Sequence, residues 1–395
     1  MRGALEGIRI LDLSRYISGP YCAMMLGDMG ADVIKIEKSG KGEDARGLDP
    51  FKNGKSLYYT SYNKNKRSIT LNFRSKEGIA VLKELMAESD VLIENFRPGT
   101  LEKMGLDKDE IERINPRLIV ASISGFGQDG PYRDRAAFDC IAQAMSGLMS
   151  ITGTEEGGPM LAGTYIADFV AALYTAFGIT VALYSRNETG KGQFLDVSLL
   201  DGLYSILATA APLMHANGIR QKRAGNRDKV CAPATAFKGS DGYIYIHGGT
   251  DPLFSRLVRI MGREDLLEDE RFSKSVIRMQ HAEEIESIVQ DWLKDKTVDE
   301  IEALMVEAGI PAGPVNDMKR VLNNEQLKHR EAIAYADYPE MGTITVPGVV
   351  VKMSETPGQI SRRPPTLGEH TDEILTQILH YTQGQIQELK MKGVL

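Results

Sequence analysis

The first third of the chain alternates short β-like runs with helical runs, and this alternation constrains the fold more than any other feature. At the start of the chain, two β-like runs flank one helical run, which is the order of a βαβ unit. The predicted elements are strands at 8–13, 32–37, 68–72, 90–94 and 118–122 and helices at 21–29, 76–88 and 109–114. Because parallel strands are joined through crossover helices, this order predicts an α/β fold with a largely parallel, doubly wound sheet.

The rest of the chain predicts a second, smaller lobe inserted into the first. From Cys140 to about Ser185 the sequence is helical and rich in small residues. The elements predicted beyond it are an apolar helix at 193–208, a hairpin of strands 234–238 and 243–247, a mainly helical region 251–325, a strand at 342–353 and a helix from Thr371. We therefore divide the chain into a large lobe over 1–224, a small lobe over 225–330 and a return segment over 331–395.

Composition and charge exclude several classes of protein. The chain is 42% hydrophobic and 26% charged, as an ordinary folded protein is. Its formal net charge of -7 opposes the broad positive surface that nucleic-acid binding requires, so no nucleic-acid partner is expected. The first residues do not have the pattern of a secretory signal, and we expect a cytoplasmic location. The apolar run 169–184 has 16 residues, fewer than the roughly 20 that cross a bilayer, and predicts a buried helix with no membrane contact.

Common catalytic motifs are missing from the sequence. There is no G-x-S-x-G, H-E-x-x-H, P-loop or C-x-x-C motif. Gly19, Gly27 and Gly30 do not have the G-x-G-x-x-G spacing, so a nicotinamide cofactor is not expected; Gly19-Pro20 predicts a tight turn and Gly30 a helix stop. The six histidines and three cysteines are scattered, which predicts no metal site and reduced cysteines in packing roles.

Asp168 is the only acidic residue between Glu156 and Glu188, and it precedes the apolar run. One interpretation is that it caps a helix beginning at Phe169, because aspartate is a favoured N-cap residue. The other is catalytic, since the helix dipole and free amides keep a carboxylate ionised and able to attack an activated acyl group. Spacing alone leaves both open.

Basic residues lie near the predicted strand ends and suit phosphate groups. They are Lys35, Lys38, Lys64, Lys66, Arg67, Arg74, Arg97 and Lys103. Asn95, Phe96 and Arg97 directly follow a strand, at the edge where open α/β sheets bind ligands, so Phe96 can pack on a base while Arg97 meets phosphate. The alternative is that these charges are solvated surface residues.

The chain resembles, from end to end, the class III coenzyme A transferases, also called the CaiB/BaiF family. The segments that carry the resemblance are GIRILDLSRYISGPYCAMMLGDMGADVIKIE, NKRSITLNF, DVLIENFRPGTLEKMG, NPRLIVASISGFGQDGPY, FDCIAQAMSG, YIADFVAALY, ETGKGQFLDVSLLDG and LGEHTDEIL. The resemblance implies a Rossmann-like large lobe with a parallel sheet, a smaller α+β lobe and an interlocked homodimer.

The resemblance also implies a reaction and a site. CoA would pass from an acyl-CoA donor to a carboxylic acid acceptor through an aspartyl-CoA thioester on Asp168, with the CoA thioester as substrate and no permanently bound cofactor. The implied CoA-binding residues are Ser18, Lys38, Leu71, Asn72, Phe73, Arg74, Asn95, Phe96, Arg97, Lys103, Ala136, Ala137, Phe138 and Asp139. Lys38 and Lys103 stand where many relatives have arginine, which preserves charge without two-pronged phosphate binding.

At two positions the sequence differs from related enzyme families, and these differences bear on which activity is expected. The α-methylacyl-CoA racemases of this superfamily have a proton-transferring histidine where this chain has Phe138, which disfavours racemisation. Formyl-CoA transferases have consecutive glycines before the small-lobe hairpin, where this chain has Cys231-Ala232-Pro233-Ala234, which argues against oxalate as the acceptor. A racemase-type isomerase and a non-catalytic CoA-binding protein stay as alternatives.

Overall fold

Thirteen β-strands occur in residues 3–395, the part of the chain that the structure, a computed structural model, describes. In chain order they are β1 (Arg9–Asp12), β2 (Asp32–Lys38), β3 (Phe51–Lys52), β4 (Lys55–Ser56), β5 (Lys66–Leu71), β6 (Val91–Glu94), β7 (Ile119–Ser124), β8 (Phe194–Ser198), β9 (Ala234–Lys238), β10 (Tyr243–His247), β11 (Ala312–Pro314), β12 (Ile333–Tyr338) and β13 (Gly342–Pro347). Six of them form one sheet in the order β5-β2-β1-β6-β7-β8, with every neighbouring pair parallel. Numbered among themselves along the chain, these strands have the order 3-2-1-4-5-6 of a Rossmann sheet.

Eighteen α-helices connect or cover the strands in the described residues. They are α1 (Ser18–Asp28), α2 (Leu57–Ser61), α3 (Lys76–Ala87), α4 (Thr100–Lys103), α5 (Lys108–Ile114), α6 (Asp139–Ser146), α7 (Leu148–Ile151), α8 (Ile166–Thr189), α9 (Leu199–Ser205), α10 (Ala210–Asn217), α11 (Asp251–Met261), α12 (Ser275–Gln280), α13 (Ala282–Leu293), α14 (Val298–Glu307), α15 (Met318–Asn323), α16 (Glu325–His329), α17 (Thr371–Gln377) and α18 (Gln383–Met391). Two short 3-10 helices add Asp44–Gly47 and Glu264–Leu267.

The six-stranded sheet is buried on both faces. Ile10 and Leu11 are adjacent in β1, yet Ile10 lies in the core cluster that contains residues of α1 and α8, and Leu11 lies in the cluster that contains residues of α3 and α17. Successive side chains of a strand point to opposite faces, so a strand covered on both sides needs a continuous apolar run. This explains why the first β-like runs in the sequence are apolar rather than alternating.

The chain divides into two compact units. The first contains the six-stranded sheet and consists of the residues up to Leu148, Leu161–Ala211 and Glu325–Leu395; the second consists of Met149–Met160 and Pro212–Asn324. In the second unit, β11-β10-β9 form an antiparallel sheet around Ile244 and Ile246, which pack with residues of α11, α13 and α14. The predicted hairpin is therefore confirmed. The division of the chain into lobes at residues 225 and 330 stays a prediction.

Three predicted elements were wrong in detail. The apolar helix expected at 193–208 begins as strand β8, because Val120 to Ser124 of β7 offer a parallel partner that local sequence does not reveal; the helix there is only α9. Strand β13 ends at Pro347 and pairs with β12, which had not been predicted. Gly19 and Pro20 lie inside the first turn of α1 rather than in a turn before it, whereas Gly30 ends that helix with φ +100° as expected.

Helix α8 is longer than the apolar run suggested. It has 24 residues and is long and apolar enough to cross a membrane by length and composition, so the argument that the run is too short was wrong. Nine of its residues are buried within the protein, among them Ala171, Thr175 and Ile179. A second set, Leu173, Phe177, Val181 and Tyr184, is exposed at helical spacing along one face.

Half of the basic side chains considered for phosphate binding are buried ion-pair partners. Lys35 and Lys66 are fully buried, and both contact Asp12 of β1, at 3.5 Å and 2.8 Å between Nζ and Oδ2. Lys64 pairs with Asp28, and Arg67 pairs with Asp32 and Glu373. Neither the phosphate-binding interpretation nor the surface interpretation was right for these four, because strands β2 and β5 and the residues just before β5 place them in the interior.

Candidate active site

Asn95 fastens the loop between β1 and α1 at the carboxyl edge of the sheet. Its Oδ1 accepts a hydrogen bond from Arg15 N at 2.8 Å, and its Nδ2 donates to Arg15 O at 2.7 Å and to Ser18 Oγ at 3.2 Å. Ser18, the first residue of α1, is buried. Asn95, the residue directly after β6, thus fixes both Arg15 and Ser18 at the strand ends, where ligands bind in open α/β sheets.

Asp168 lies in the first turn of α8, but it is not the residue that caps the helix. The N-cap is Tyr165, which makes no capping hydrogen bond through its side chain. Asp139, the first residue of α6, provides the cap instead: its Oδ1 accepts from Ala167 N at 2.7 Å and from Asp168 N at 3.4 Å. The cap interpretation of Asp168 was therefore wrong, since the helix starts at Ile166 and a different aspartate satisfies its free amides.

The surroundings of Asp168 favour its protonated form. Burial, followed by the negative charge of Asp139, raises the pKa of Asp168 to about 7, and a hydrogen bond with the Ser18 side chain partly offsets this rise. We expected the helix end to keep this carboxyl ionised. Burial and the charge of Asp139 both oppose its ionisation. Near neutral pH the group exists in both protonation states.

A first cleft of about 240 Å³ opens on one side of Asp168. Four arginines reach it, and the guanidinium of one, Arg15, lies 5.6 Å from the ring centroid of Phe96. Its lining residues are Arg15, Tyr16, Ser18, Asn95, Phe96, Arg97, Pro98, Ile123, Ser124, Gly125, Arg133, Arg135, Ala136, Ala137, Phe138, Asp168 and Leu199. A cleft with several guanidinium groups suits a ligand that carries phosphates.

A second cleft, of about 590 Å³, is also lined by Asp168 and differs in character. It is lined by Tyr16, Tyr58, Phe138, Asp139, Cys140, Gln143, Leu161, Ala162, Gly163, Thr164, Tyr165 and Asp168. None of these described lining residues is basic. Gln143 is held in place there, because its Nε2 donates to Asp139 Oδ2 at 2.6 Å and its Oε1 accepts from Ala162 N at 2.9 Å.

Tyr16, Phe138 and Asp168 line both clefts. The rings of Tyr16 and Phe138 meet edge to face, with centroids 6.1 Å apart. Tyr16 has φ +66°, a conformation that costs energy for a residue with a side chain, and its N–H donates to Glu43 Oε2 at 2.9 Å. The two rings form a wall between the clefts, and Asp168 is the carboxyl group that both clefts share.

Residues 5–371 match the profile of CoA-transferase family III. The chain belongs to CoA-transferase family III. The resemblance read from its motifs is thereby confirmed, and the protein is a CoA-transferase.

Proteins similar to this CoA-transferase match its sequence along nearly the full chain. Succinyl-CoA:glutarate CoA-transferase of Mus musculus is 38% identical over 392 residues, which cover 99% of this chain and 90% of the mouse protein. Succinyl-CoA--D-citramalate CoA-transferase of Chloroflexus aurantiacus is 36% identical, with 99% and 98% covered. The crystal structure of a CAIB/BAIF family protein from Brucella suis superposes with a TM-score of 0.87 at 35% identity, covering 96% of this chain and all of that one.

Several of the residues predicted to bind CoA lie together in the CoA-transferase structure. The first cleft contains Ser18, Asn95, Phe96, Arg97, Ala136, Ala137 and Phe138, and Asp139 lines the second. The remaining six, Lys38, Leu71, Asn72, Phe73, Arg74 and Lys103, line neither. Leu71 is fully buried in the core, and Lys38 pairs with Asp44 at 2.6 Å. A role in CoA binding stays a prediction for every member of the set.

Several residues that line the two clefts of the CoA-transferase were not predicted from the sequence. Arg15 and Tyr16 follow β1 just as Asn95 follows β6, so the rule applied to Asn95 would have found them. Arg133 and Arg135 lie in the long loop between β7 and α6, where no pattern distinguishes them from surface arginines. Cys140, expected to be a packing residue, is exposed and lines the second cleft.

Proposed function

We propose that this enzyme transfers CoA from an acyl-CoA donor to a carboxylic acid acceptor through an aspartyl-CoA thioester on Asp168. The observation that carries the proposal is that the Asp168 carboxyl lines both clefts. A nucleophile in that position can face a CoA thiol on one side and an acyl group on the other. Its helix, capped by Asp139, gives the carboxyl a fixed direction.

The proposed chemistry has four substitutions at carbonyl carbons. The Asp168 carboxylate attacks the donor thioester and expels CoA thiolate, which forms a mixed anhydride. The thiolate attacks the Asp168 carbonyl of that anhydride, releases the donor acid and forms aspartyl-CoA. The acceptor carboxylate then attacks aspartyl-CoA and expels the thiolate, which attacks the acceptor carbonyl of the second anhydride. The products are a new acyl-CoA and the regenerated carboxylate.

The electrostatics of the site support these covalent intermediates. Burial and the charge of Asp139 both disfavour an ionised Asp168, as its raised pKa records. In the anhydride and in the thioester, the same carboxyl carries no charge. Acylation of Asp168 therefore removes the negative charge that this environment disfavours. This favours nucleophilic attack by Asp168 over a role in which its carboxylate only pairs with a cation.

We propose that the first cleft receives the pantetheine and phosphate portion of CoA and the second the acyl group. Arg15, Arg97, Arg133 and Arg135 supply positive charge at the first cleft in a chain whose net charge is -7. The second cleft offers aromatic rings and the amide of Gln143. CoA enters as a substrate thioester in this scheme, and no permanently bound cofactor has a role.

The names of the relatives suggest which acids to test first. The proteins from Mus musculus and Chloroflexus aurantiacus are named for succinyl-CoA with glutarate and with D-citramalate. We propose short dicarboxylic acids as acceptors and succinyl-CoA as donor. A second carboxylate would have to be recognised by hydrogen bonds from groups such as Gln143 and Thr164, or by basic groups beyond those that line the second cleft.

We also propose that two copies associate as an interlocked homodimer in the cytoplasm. The support is the exposed apolar face of α8, where Leu173 and Phe177 are 55% and 67% exposed. Contiguous exposed apolar surface of this kind marks an interaction site. The buried face of α8 packs within its own unit, as the core helix of a globular protein does, so we assign the exposed face to a second copy rather than to lipid.

The deciding experiment combines transfer assays with trapping of the intermediate. Wild-type enzyme incubated with succinyl-CoA and a panel of small, dicarboxylic, hydroxy and aromatic acids should generate a new thioester, and hydroxylamine should convert Asp168 to a hydroxamate detectable by mass. Asp168→Ala and Asp168→Asn should abolish both, whereas Asp109→Asn, at an exposed acidic position in the first turn of α5, should change neither.

The opposite outcome is equally specific. Deuterium exchange at the carbon beside the thioester, with no new thioester, would assign the enzyme to isomerisation instead. Transfer activity that survives in Asp168→Asn would remove Asp168 from the mechanism.

A further inference from the structure

We propose that Asp228, Cys231 and His247 form a zinc site in the second unit. One ligand atom from each, a carboxylate oxygen, the thiol sulfur and an imidazole nitrogen, can be chosen so that all three lie within 4.8 Å of one another. Cys231 is buried, and the other two are half-buried. Asp228 and Cys231 are three positions apart, but His247 lies 16 positions beyond Cys231, and the β9–β10 hairpin brings it to them.

Two of the three distances within the cluster match those between ligands of one zinc ion, and the third is no more than 4.8 Å. Cys231 Sγ lies 3.5 Å from His247 Nε2 and 3.7 Å from Asp228 Oδ1. Tetrahedral zinc with its usual bond lengths to sulfur, nitrogen and oxygen requires ligand separations of about 3.6 Å. The side chains therefore stand where a metal could contact all three with little rearrangement.

Backbone hydrogen bonds hold the three ligands in this arrangement. Asp228 N donates to Ala234 O at 2.8 Å, and Ala234 pairs with His247 across the β9–β10 hairpin, so the loop and the strand end are tied together. Asp228 Oδ1 accepts from Val230 N at 2.8 Å and from Cys231 N at 3.2 Å, which turns the thiol toward the carboxylate. The site is thus built by the hairpin rather than by mobile surface chains.

The geometry argues against a Cys–His nucleophile. In such a pair a carboxylate orients the far nitrogen of the imidazole, whereas here Asp228 Oδ1 faces the sulfur itself. Without a metal, the Cys231 thiol donates to Asp228 Oδ1 at 3.7 Å. A divalent metal would displace the thiol proton and bind the thiolate, and a sulfur, a nitrogen and an oxygen together form a donor set suited to Zn²⁺.

Arg278 is the nearest opposing charge, and it is already neutralised. Its guanidinium is fully buried, donates to the carbonyl oxygens of Ala232 at 2.8 Å and Gly249 at 2.7 Å, and pairs with Asp251 at 3.0 Å. Three protein ligands leave the fourth tetrahedral position to water.

The test uses the full-length protein after chelator treatment, with Zn²⁺ and Co²⁺ as probes. We expect one equivalent of Zn²⁺ per chain, a zinc-dependent rise in melting temperature, and a thiolate-to-cobalt charge-transfer band with Co²⁺. Cys231→Ser and His247→Ala should each weaken Zn²⁺ binding by at least about 100-fold, since even indirect partners of zinc ligands contribute 10- to 100-fold. The matched controls are Cys140→Ser and His281→Ala, which should bind as wild type does.

Two results would overturn the proposal. One is wild-type protein that binds less than a stoichiometric amount of zinc and shows no charge-transfer band, a measurement that needs no variant to fold. The other is zinc binding that Cys231→Ser leaves intact, which would indicate adventitious surface binding. In either case the thiol of Cys231 is only a hydrogen-bond donor to Asp228.

Discussion

At the scale of single residues, the protonation of Asp168 should govern the pH dependence of the enzyme. Its pKa of about 7 is raised by burial and by Asp139. In the proposed mechanism the carboxylate is the nucleophile, so kcat/KM for the acyl-CoA donor should be highest above pH 7 and should fall about tenfold per unit below pH 6. The measurement is a pH profile of initial transfer rates.

A second variant separates the two causes of that shift. Asp139→Asn removes the neighbouring charge but keeps an Oδ1 that can accept from the amides of α8, so the profile should move to lower pH. Asp139→Ala also removes the cap and should lower kcat at every pH. An unchanged profile in Asp139→Asn would mean that burial alone raises the pKa.

Asp168 could be recognised from the sequence as a candidate nucleophile, but the residues that surround it could not. An isolated acidic residue before an apolar run was visible, and the family resemblance gave it a role. The proximity of Asp139 could not be predicted, because 29 positions separate the two residues and only the packing of α6 against α8 brings them together. The contact between the rings of Tyr16 and Phe138 could not be predicted either, because the two residues are distant in the sequence and only the folded chain brings them together.

At the scale of secondary structure elements, the start of α1 depends on the absence of a side chain at Gly19. A Cβ built there would lie 2.1 Å from the Cβ of Ser14. Gly19→Ala should therefore lower the free energy of unfolding by about 1 to 3 kcal/mol, as overpacking does, and should reduce transfer activity by moving Ser18. Thermal denaturation and kcat test this; Gly47→Ala, where nothing lies within 4 Å, should cost far less.

Strand β5 and the loop after β6 carry basic residues with opposite roles. Lys66→Met leaves Asp12 without one of its buried partners and should cost about 3 to 5 kcal/mol of stability. Arg97→Ala removes an exposed charge at the first cleft, so it should raise KM for the acyl-CoA about tenfold and leave the melting temperature unchanged. Denaturant unfolding and initial-rate kinetics on both variants check this contrast, which fails if Lys66→Met affects only KM.

The elements themselves were predictable where local pattern and tertiary environment agree. The βαβ units of the first third appear within a few residues of their predicted bounds, because apolar runs and helix stops such as Gly30 are local signals. Strand β8 was mistaken for helix because its place at the sheet edge depends on pairing with β7, and β12 was missed because its partner β13 is what makes it a strand.

At the scale of the whole molecule, the exposed face of α8 should be the site of self-association. Phe177→Asp places a charge on that face without touching the core, so it should convert a dimer into a folded monomer in sedimentation measurements. Asn187→Asp adds the same charge nearer the end of the helix and should leave the dimer intact. Wild-type protein that sediments as a monomer would contradict the proposal.

A second, smaller lobe was predicted from the sequence, but not the two compact units as the structure divides them. Residues 149–160 precede α8 yet cluster with Pro212–Asn324, so the second unit is discontinuous, a property that no scan along the chain can detect. The parallel sheet and the antiparallel hairpin were predictable, since each depends on short-range order. Lobe boundaries depend on long-range contacts.

The single carboxyl shared by the two clefts limits what this enzyme can do in metabolism. Every turnover consumes one thioester and makes another, so the total number of activated acids does not change and no nucleotide is hydrolysed. In the proposed mechanism both acids react in turn with the same carboxyl, that of Asp168, so each acid is the substrate in one direction of the reaction. The direction of net flow therefore follows from the concentrations of two acids and two thioesters outside the protein, and no substitution in either cleft can alter that equilibrium.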